Sequence, residues 1–380
     1  MLMRHTIPFM HIGIDCRLPS YRMGGISRYT IQLIQALSQV AGAEKFTIFH
    51  KKGEKRSFLP DDDTRFSRSD LLAPCHHKFE RQVLAVELVR HRLDVFHSPD
   101  FIPPAPATAR RVITVHDLSF LYFPEILTAE SRRYYADQIG WAVNVADHII
   151  ADSYATRDDV IKLLGVAPGR ITTIHLAADE VFSAGYDVAE IGRTVAEYGI
   201  DEGYILFVGT LEPRKNLGML LRAYHRLRQE RGVKVPLVLV GSKGWLYEEI
   251  FDEIVSLGLG DSVRHLSDVS DVKLAHLYRA AGVLAFPSYY EGFGLPALEA
   301  MLGGCPVVCA GRGSLPEVVG SAAIQLDPDD VDGWVAAIES VLGDSVLADR
   351  MRAEGLAQAQ KFSWLKTAEA TMAVYRDEKE

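Results

Sequence analysis

Two acids, Glu291 and Glu299, bracket a glycine-rich turn and the start of an apolar helix in YYEGFGLPALEAM, residues 289–301. Gly292 and Gly294 loosen that turn, and Pro296 suits a first helical turn. The backbone amides around Phe293, Gly294 and Leu295 then form an anion site at the helix start. A carboxylate in an apolar helix is costly without partners, so Glu299 is expected to be hydrogen-bonded to a group with hydroxyls. Two acids on either side of an anion site would hold two sugars flanking a diphosphate. A second stretch, GTLEPRKN at 209–216, has a helix-starting proline, Pro213, followed by Arg214 and Lys215. Two cations at a helix N-terminus are electrostatically misplaced unless an anion joins them. That anion is either Glu212, in a surface pair, or a diphosphate, for which each charge-assisted contact contributes about 1.5–3 kcal/mol in a sheltered site.

Two further positions have the right chemistry and an open reading. His116 directly follows an apolar strand and precedes Asp117. It is either a capping or core-edge histidine or a group that meets a substrate hydroxyl. Gly24 and Gly25 stand before a helix, where glycine serves either the turn alone or the close approach of a phosphate to the backbone.

The elements that position these residues alternate regularly. Short apolar, largely β-branched runs (MHIGID, FTIFH, DVFHS, RVITVHD, HIIADS, then YILFVGT, PLVLVGS, VRHLSD, VLAFPS, CPVVCAG) are separated by long amphipathic segments. That alternation predicts βαβ units and parallel sheets, whose ligands bind beyond the carboxyl ends of the strands. The loops after HIGID, VITV, YILFVGT and VLAFPS hold the residues named above. At 380 residues the chain suits two domains. The stretch LAADEVFSAGYDVAEIGRTVAEYGIDEG shows no strand pattern and is expected to join them, giving domains of 1–185 and 186–364. The final segment, FSWLKTAEATMAVYRDEKE, predicts a helix over 365–380, with Trp364 as its anchor, packing back on the first domain.

Composition narrows the class. Fifty acidic against 41 basic residues give a formal charge of −9, which disfavours the phosphate backbone of a nucleic acid. Basic clusters such as KKGEKR at 51–56 and Arg110-Arg111 read as solvated faces or as contacts to an anionic membrane. Cys16, Cys75, Cys305 and Cys309 show neither disulfide nor metal spacing and are expected as reduced thiols of a cytoplasmic protein. The first residues, interrupted by His5, Pro8 and His11, lack a leader pattern, and no run reaches the eighteen apolar residues that span a bilayer. DPD at 327–329 has the spacing of a metal-binding acid pair but lies in a turn-like segment.

The sequence resembles the retaining glycosyltransferases of family 4. The likeness covers nearly the whole chain and is strongest from Tyr204 to Val319. Its most specific mark is the acid pair Glu291 and Glu299 in EGFGLPALE; GTLEPRKN, AGRGSLPEVVG, the early GGISRY and the closing FSW are also similar. The resemblance implies an α/β GT-B fold, two facing Rossmann-like domains with parallel sheets and a cleft between them. It also implies transfer of a sugar from a nucleotide-diphosphate donor to an acceptor hydroxyl with retained configuration. In the family's pattern Glu291 lies beside the donor sugar, Glu299 binds the ribose, and Arg214 and Lys215 meet the diphosphate. Gly24 and Gly25 approach it, and His116 lies near the donor sugar. The chain departs at Thr210, where several members have arginine, so the cationic clamp rests on Arg214 and Lys215. No metal and no cofactor are implied. The combination of motifs is similar to that of bacterial mannosyltransferases of surface polysaccharide or glycolipid synthesis. It suggests GDP-mannose first, UDP-glucose second, with a carbohydrate or lipid-linked acceptor and peripheral contact of the first domain with the inner membrane face. The alternatives are a nucleotide-sugar epimerase of the same fold and a catalytically silent sugar-nucleotide binder.

Overall fold

The computed structural model describes residues 9–378, except 22, 106–107 and 125–128, and omits the side chains of 129–131. The leader reading at residues 1–8 and the last two residues of the terminal helix prediction therefore lie outside the described residues. The chain divides into two compact units, 1–176 with 364–380, and 177–363.

The first unit is built on β1 (His11–Asp15), β2 (Lys45–Lys51), β3 (Phe66–Leu71), β4 (Val95–Ser98), β5 (Arg110–Val115), β6 (His148–Ala151) and β7 (Ile171–Thr173). They form one parallel sheet in the order β3-β2-β1-β4-β5-β6-β7. The second unit has β8 (Ile205–Val208), β9 (Leu237–Val240), β10 (Val263–Leu266), β11 (Val283–Phe286), β12 (Val307–Ala310) and β13 (Ile324–Leu326), also parallel, in the order β10-β9-β8-β11-β12-β13. The central strands ILFV, LVLV, VLAF and VVCA are buried along their whole length. Continuous apolar runs of this kind are what a parallel sheet covered by helices on both faces demands.

In each sheet the strand order reverses once, between β1 and β4 and between β8 and β11. The loops leaving the two neighbouring strands there diverge to opposite faces and open a crevice at their carboxyl ends.

Two stretches took forms that periodicity did not specify. The expected joining segment contains the helix Val188–Glu197, capped by Asp187 accepting from the Ala189 amide, and it packs on the helix Asp271–Ala280 within the second unit. The terminal helix, Trp364–Arg376, lies against the helix Gly25–Val40 in the first unit. Trp364 is only half-buried, with its ring 6.2 Å from that of Tyr29. The deeper anchor is Tyr375, 1% exposed, whose hydroxyl lies 2.6 Å from His97 Nδ1.

Candidate functional site

Within the second unit, the loops leaving β8 and β11 are stitched together at the reversal point. The Tyr289 amide donates to the Arg214 carbonyl at 2.9 Å, and Arg214 Nη1 donates to the Tyr290 carbonyl at 2.8 Å. Pro213 opens a short 3-10 turn, Pro213–Lys215, and Asn216 then takes a left-handed conformation (φ 56°) before the helix Leu217–Arg231. Asparagine tolerates that conformation better than most residues, and its side-chain amide is fixed by the Pro328 carbonyl at 2.7 Å.

This geometry drives Lys215 inward. The residue is 6% exposed, and its ammonium lies 2.6 Å from Glu291 Oε1 and 5.4 Å from the centre of the Phe286 ring. Arg214 bridges two acids, with Nε 2.7 Å from Glu212 Oε1 and Nη1 3.4 Å from Glu291 Oε2. Glu212 in turn accepts from the Trp245 indole at 3.1 Å. Of the two sequence readings of the cation pair, the contact with Glu212 is present but made by Arg214, while Lys215 turns away from the surface to Glu291. Burial pushes the Glu291 carboxyl up, yet Lys215 and Arg214 outweigh it and hold the group below its ordinary value. Burial lowers the Lys215 ammonium against the pull of Glu291. The two shifts oppose each other over the charge of the pair. With a carboxylate 2.6 Å away and a second cation behind it, the ionised pair is the better satisfied state.

Glu291 is fixed from behind by AGRGSLPEVVG. The Ser314 hydroxyl donates to the Glu291 carbonyl at 2.9 Å, and Gly313 (φ 57°) passes so close that a Cβ there would lie 3.0 Å from the same oxygen. Gly294, the N-cap of the helix Leu295–Leu302, has φ 95°, and a side chain would meet Leu315 Cδ2 at 2.6 Å. Phe293 packs edge-on against Phe362. Glu299 lies half-buried one turn along that helix and accepts from the Tyr278 phenol at 3.0 Å, so its hydroxyl partner within the protein is a tyrosine. Thr210 stands where β8 ends, in a loop pressed against Gly241 and Gly244 of the next loop. Asp327 and Asp329 close a turn, with Asp327 also 2.8 Å from Arg312 and Asp329 accepting from Tyr289.

In the first unit, Gly24 caps the helix Gly25–Val40 in an extended conformation (φ −121°), with no side-chain cap and no acid in the first turn. A Cβ on Gly25 would meet nothing within 4 Å, so neither backbone conformation nor packing calls for glycine there. One turn on, Tyr29 packs edge-on against His116 at 4.9 Å. His116 Nδ1 lies 2.6 Å from Asp152 Oδ2 and Nε2 lies 2.8 Å from the Pro99 carbonyl. A carbonyl only accepts, so Nε2 carries a proton. Burial lowers the imidazole, but Asp152 outweighs it and the group rises to about 9. At neutral pH His116 is thus a donor on both nitrogens. His97 behind it is pushed down to about 3 by burial and by the charge on His116, and its Nε2 lies 2.8 Å from Thr114 Oγ1.

Sequence reasoning missed Trp245, Ser314 and Asp152. Only Asp152 carried a local signal, standing directly after β6. The described residues contain no group of three or more His, Cys, Asp or Glu able to hold a metal ion. No described helix is long and apolar enough to cross a membrane.

The family described as Glycosyltransferase Family 4 matches residues 23–182, and Glycosyl transferases group 1 matches 193–358. The O-antigen chain mannosyltransferase B of Escherichia coli is 34% identical, covering 94% of this chain and 97% of its own. Among solved structures, a sucrose-phosphate synthase from Thermosynechococcus elongatus superposes with TM-score 0.76 at 22% identity, covering 97% of this chain and 98% of that one. Anabaena HepE, in complex with UDP and glucose, gives 0.74 at 19%, covering 97% and 100%. With a relative this similar along both whole chains, the protein is a glycosyltransferase that belongs to family 4 and has the GT-B fold.

Proposed function

We propose that this enzyme moves a hexose, mannose before glucose, from a nucleoside-diphosphate donor to an acceptor hydroxyl with retention of configuration, in the synthesis of a polysaccharide or glycolipid. The observation that carries this reading is the buried Lys215–Glu291 pair backed by Arg214 at the β8/β11 reversal point. Two cations at the end of a parallel sheet suit a diphosphate, and the carboxylate between them suits the hydroxyls and developing positive charge of the sugar beside it. Glu299, with Tyr278 already on one oxygen, suits a ribose. The open space at Gly25 and the uncapped helix behind it suit a phosphate approaching the backbone.

In the step proposed, the bond from the anomeric carbon to the phosphate oxygen breaks and the bond to the acceptor oxygen forms on the same face. The acceptor's proton passes to the departing phosphate oxygen. Lys215 and Arg214 stabilise the charge that collects on the diphosphate, and Glu291 steadies the ring. His116, protonated and with both N–H groups committed to Asp152 and the Pro99 carbonyl, is not a base that could abstract the acceptor's proton. No metal or cofactor is invoked. A lipid-linked acceptor would bring the enzyme to the inner membrane face, where Leu72, Phe79, Val86 and Val89 of the first unit are exposed beside Lys78, Arg90 and Arg92.

The test is a thermal-shift panel of nucleoside diphosphates followed by product analysis. GDP and UDP are expected to stabilise unequally, the better of them by several degrees. Its sugar conjugate should then yield a glycoside of unchanged anomeric configuration. Equal, negligible shifts for both nucleotides, or an inverted product, would refute the proposal.

A further inference from the structure

In the second unit the loop leaving β9, residues 241–246, supplies none of the groups assigned to the donor, yet it is built under tight constraint. It is laced to the loop leaving β8: the Gly209 amide donates to the Val240 carbonyl at 2.9 Å, the Leu211 amide to the Ser242 carbonyl at 2.9 Å, and the Gly244 amide to the Leu211 carbonyl at 3.0 Å. A Cβ on Gly244 would lie 2.8 Å from that last oxygen and 3.3 Å from Glu212 Cβ, so this close approach calls for glycine. At the other end of the loop Leu246 takes a left-handed conformation (φ 54°) just before the helix Tyr247–Ser256. The Lys243 ammonium is held 4.8 Å from the ring centres of both Tyr247 and Phe251. A leucine at positive φ persists only where the surrounding structure over-determines it, and such strain gathers at functional sites.

Between that close-packed glycine and that strained leucine stands Trp245, half-buried, whose indole N–H donates to Glu212 Oε2 at 3.1 Å. Glu212 is itself buried, and its other oxygen lies 2.7 Å from Arg214 Nε. Arg214 Nη1 in turn donates to the Tyr290 carbonyl at 2.8 Å and lies 3.4 Å from Glu291 Oε2. A chain of polar contacts thus runs from the β9 loop, through a buried carboxylate on the β8 loop, to the guanidinium and the acid at the β8/β11 reversal point.

The chemistry of the chain says what the indole is for. A guanidinium is a rigid planar fork, so its plane is set once two of its edges are held, here Nε by Glu212 and Nη1 by the Tyr290 carbonyl. Glu212 can hold its edge only if its own rotation is stopped, and a buried carboxylate oxygen needs a donor in any case. The indole N–H meets both needs with a single donor and no charge. An ammonium in its place would compete with Arg214 for the carboxylate. Fixing Glu212 matters for a further reason: an incoming diphosphate is repelled by a carboxylate that can swing toward it, and less so by one kept facing two donors. We propose that Trp245 is a positioning residue for donor binding, acting through Glu212 to hold Arg214 in the orientation that receives the diphosphate. The inference rests on the donor reading, which places the diphosphate on Arg214 and Lys215, and adds to it a residue that acts at one remove.

The experiment is a double-mutant cycle on the full chain, with binding of GDP, UDP, GMP and UMP followed by calorimetry, the monophosphates by competition. Trp245→Phe keeps an aromatic ring and removes the N–H. It is expected to weaken the better-bound nucleoside diphosphate roughly fivefold or more and the matching monophosphate less than twofold. In an Arg214→Ala background the same change should produce no further loss, because the group that Trp245 positions is gone. Should Trp245→Phe fail to fold, benzothienylalanine at position 245, with sulfur in place of the N–H inside the same two-ring outline, is read instead. Equal losses for diphosphate and monophosphate, a loss that persists undiminished without Arg214, or no loss at all would overturn the role of Trp245 and leave the donor reading standing. A wild-type protein that binds neither GDP nor UDP would sink both.

Discussion

Replacing Lys215 by methionine tests the buried pair directly, because methionine fills the same volume without the charge. Glu291 would be left 7% exposed with only Arg214, at 3.4 Å, to balance it. Removing one partner of a buried ion pair typically costs about 3–5 kcal/mol. The remaining arginine should recover part of that, so a loss of roughly 2–3 kcal/mol is expected, or about 4–12 °C in the melting temperature for a unit of this size. The double variant Lys215→Met, Glu291→Gln removes both charges and should regain most of the stability lost. Its response to a nucleoside diphosphate should not return, since the cation that meets the phosphate is still missing. Thermal and urea unfolding of the four proteins in the cycle, each with and without nucleotide, gives both readouts. A Lys215→Met protein within about 0.5 kcal/mol of the wild type would refute the reasoning. So would a double variant less stable than the single one.

Three other outcomes follow from the same geometry. The His116 imidazole rises in the folded protein from an ordinary 6.5 to about 9. Its contribution to stability is therefore complete below pH 6.5 and lost as pH climbs through 9, and a melting-temperature profile over that window should flatten in His116→Gln. Gly241 has φ 151°, and a Cβ there would lie 2.0 Å from the Gly209 carbonyl oxygen. Gly241→Ala should cost roughly 2–4 kcal/mol by forcing the β8 and β9 loops apart, measured by urea unfolding. Gly25→Ala meets open space at an ordinary φ and should be neutral or stabilising by about 0.4–1 kcal/mol. Urea unfolding checks it, and a loss above about 1 kcal/mol would show that the fold does need glycine there.

How much of this was legible in the sequence depended on how local the signal was. The parallel α/β layers could be read, because a buried strand such as LVLV announces itself in four residues and an amphipathic helix in about ten. The loops that hold Arg214, Lys215 and Glu291 could be read for the same reason: glycine, proline and charge crowd into eight or nine positions beyond a strand. Partner identity could not. That Lys215 turns inward to Glu291 while Arg214 reaches back to Glu212 depends on β8 and β11 being neighbours, and they are separated in sequence by two strands and three helices. Nothing in either segment encodes that adjacency. Asp152 on His116 and Tyr375 on His97 are hidden in the same way, by separations of 36 and 278 residues.

The strand order also explains which loop was overlooked. Both sheets reverse after their third strand, so each places the first-strand loop beside the loop of the fourth: β1 with β4, β8 with β11. In the second unit both loops are rich in charge and glycine, and each drew attention by itself. In the first unit the β4 loop, SPDFIPP, looks like an ordinary turn, with a single acid among prolines. Its Asp100 acquires meaning only through His76, a residue of another loop held left-handed by a buried arginine and glutamate whose side chains meet across 63 residues. A charged residue in a bland loop is thus informative when topology puts that loop at a reversal point, since the crevice there admits a ligand and leaves fewer protein partners for the charge. By that reasoning the Asp100 side chain, with one oxygen on His76 and the other buried without a partner among the described residues, is the position in the first unit where substitution should alter binding most and folding least.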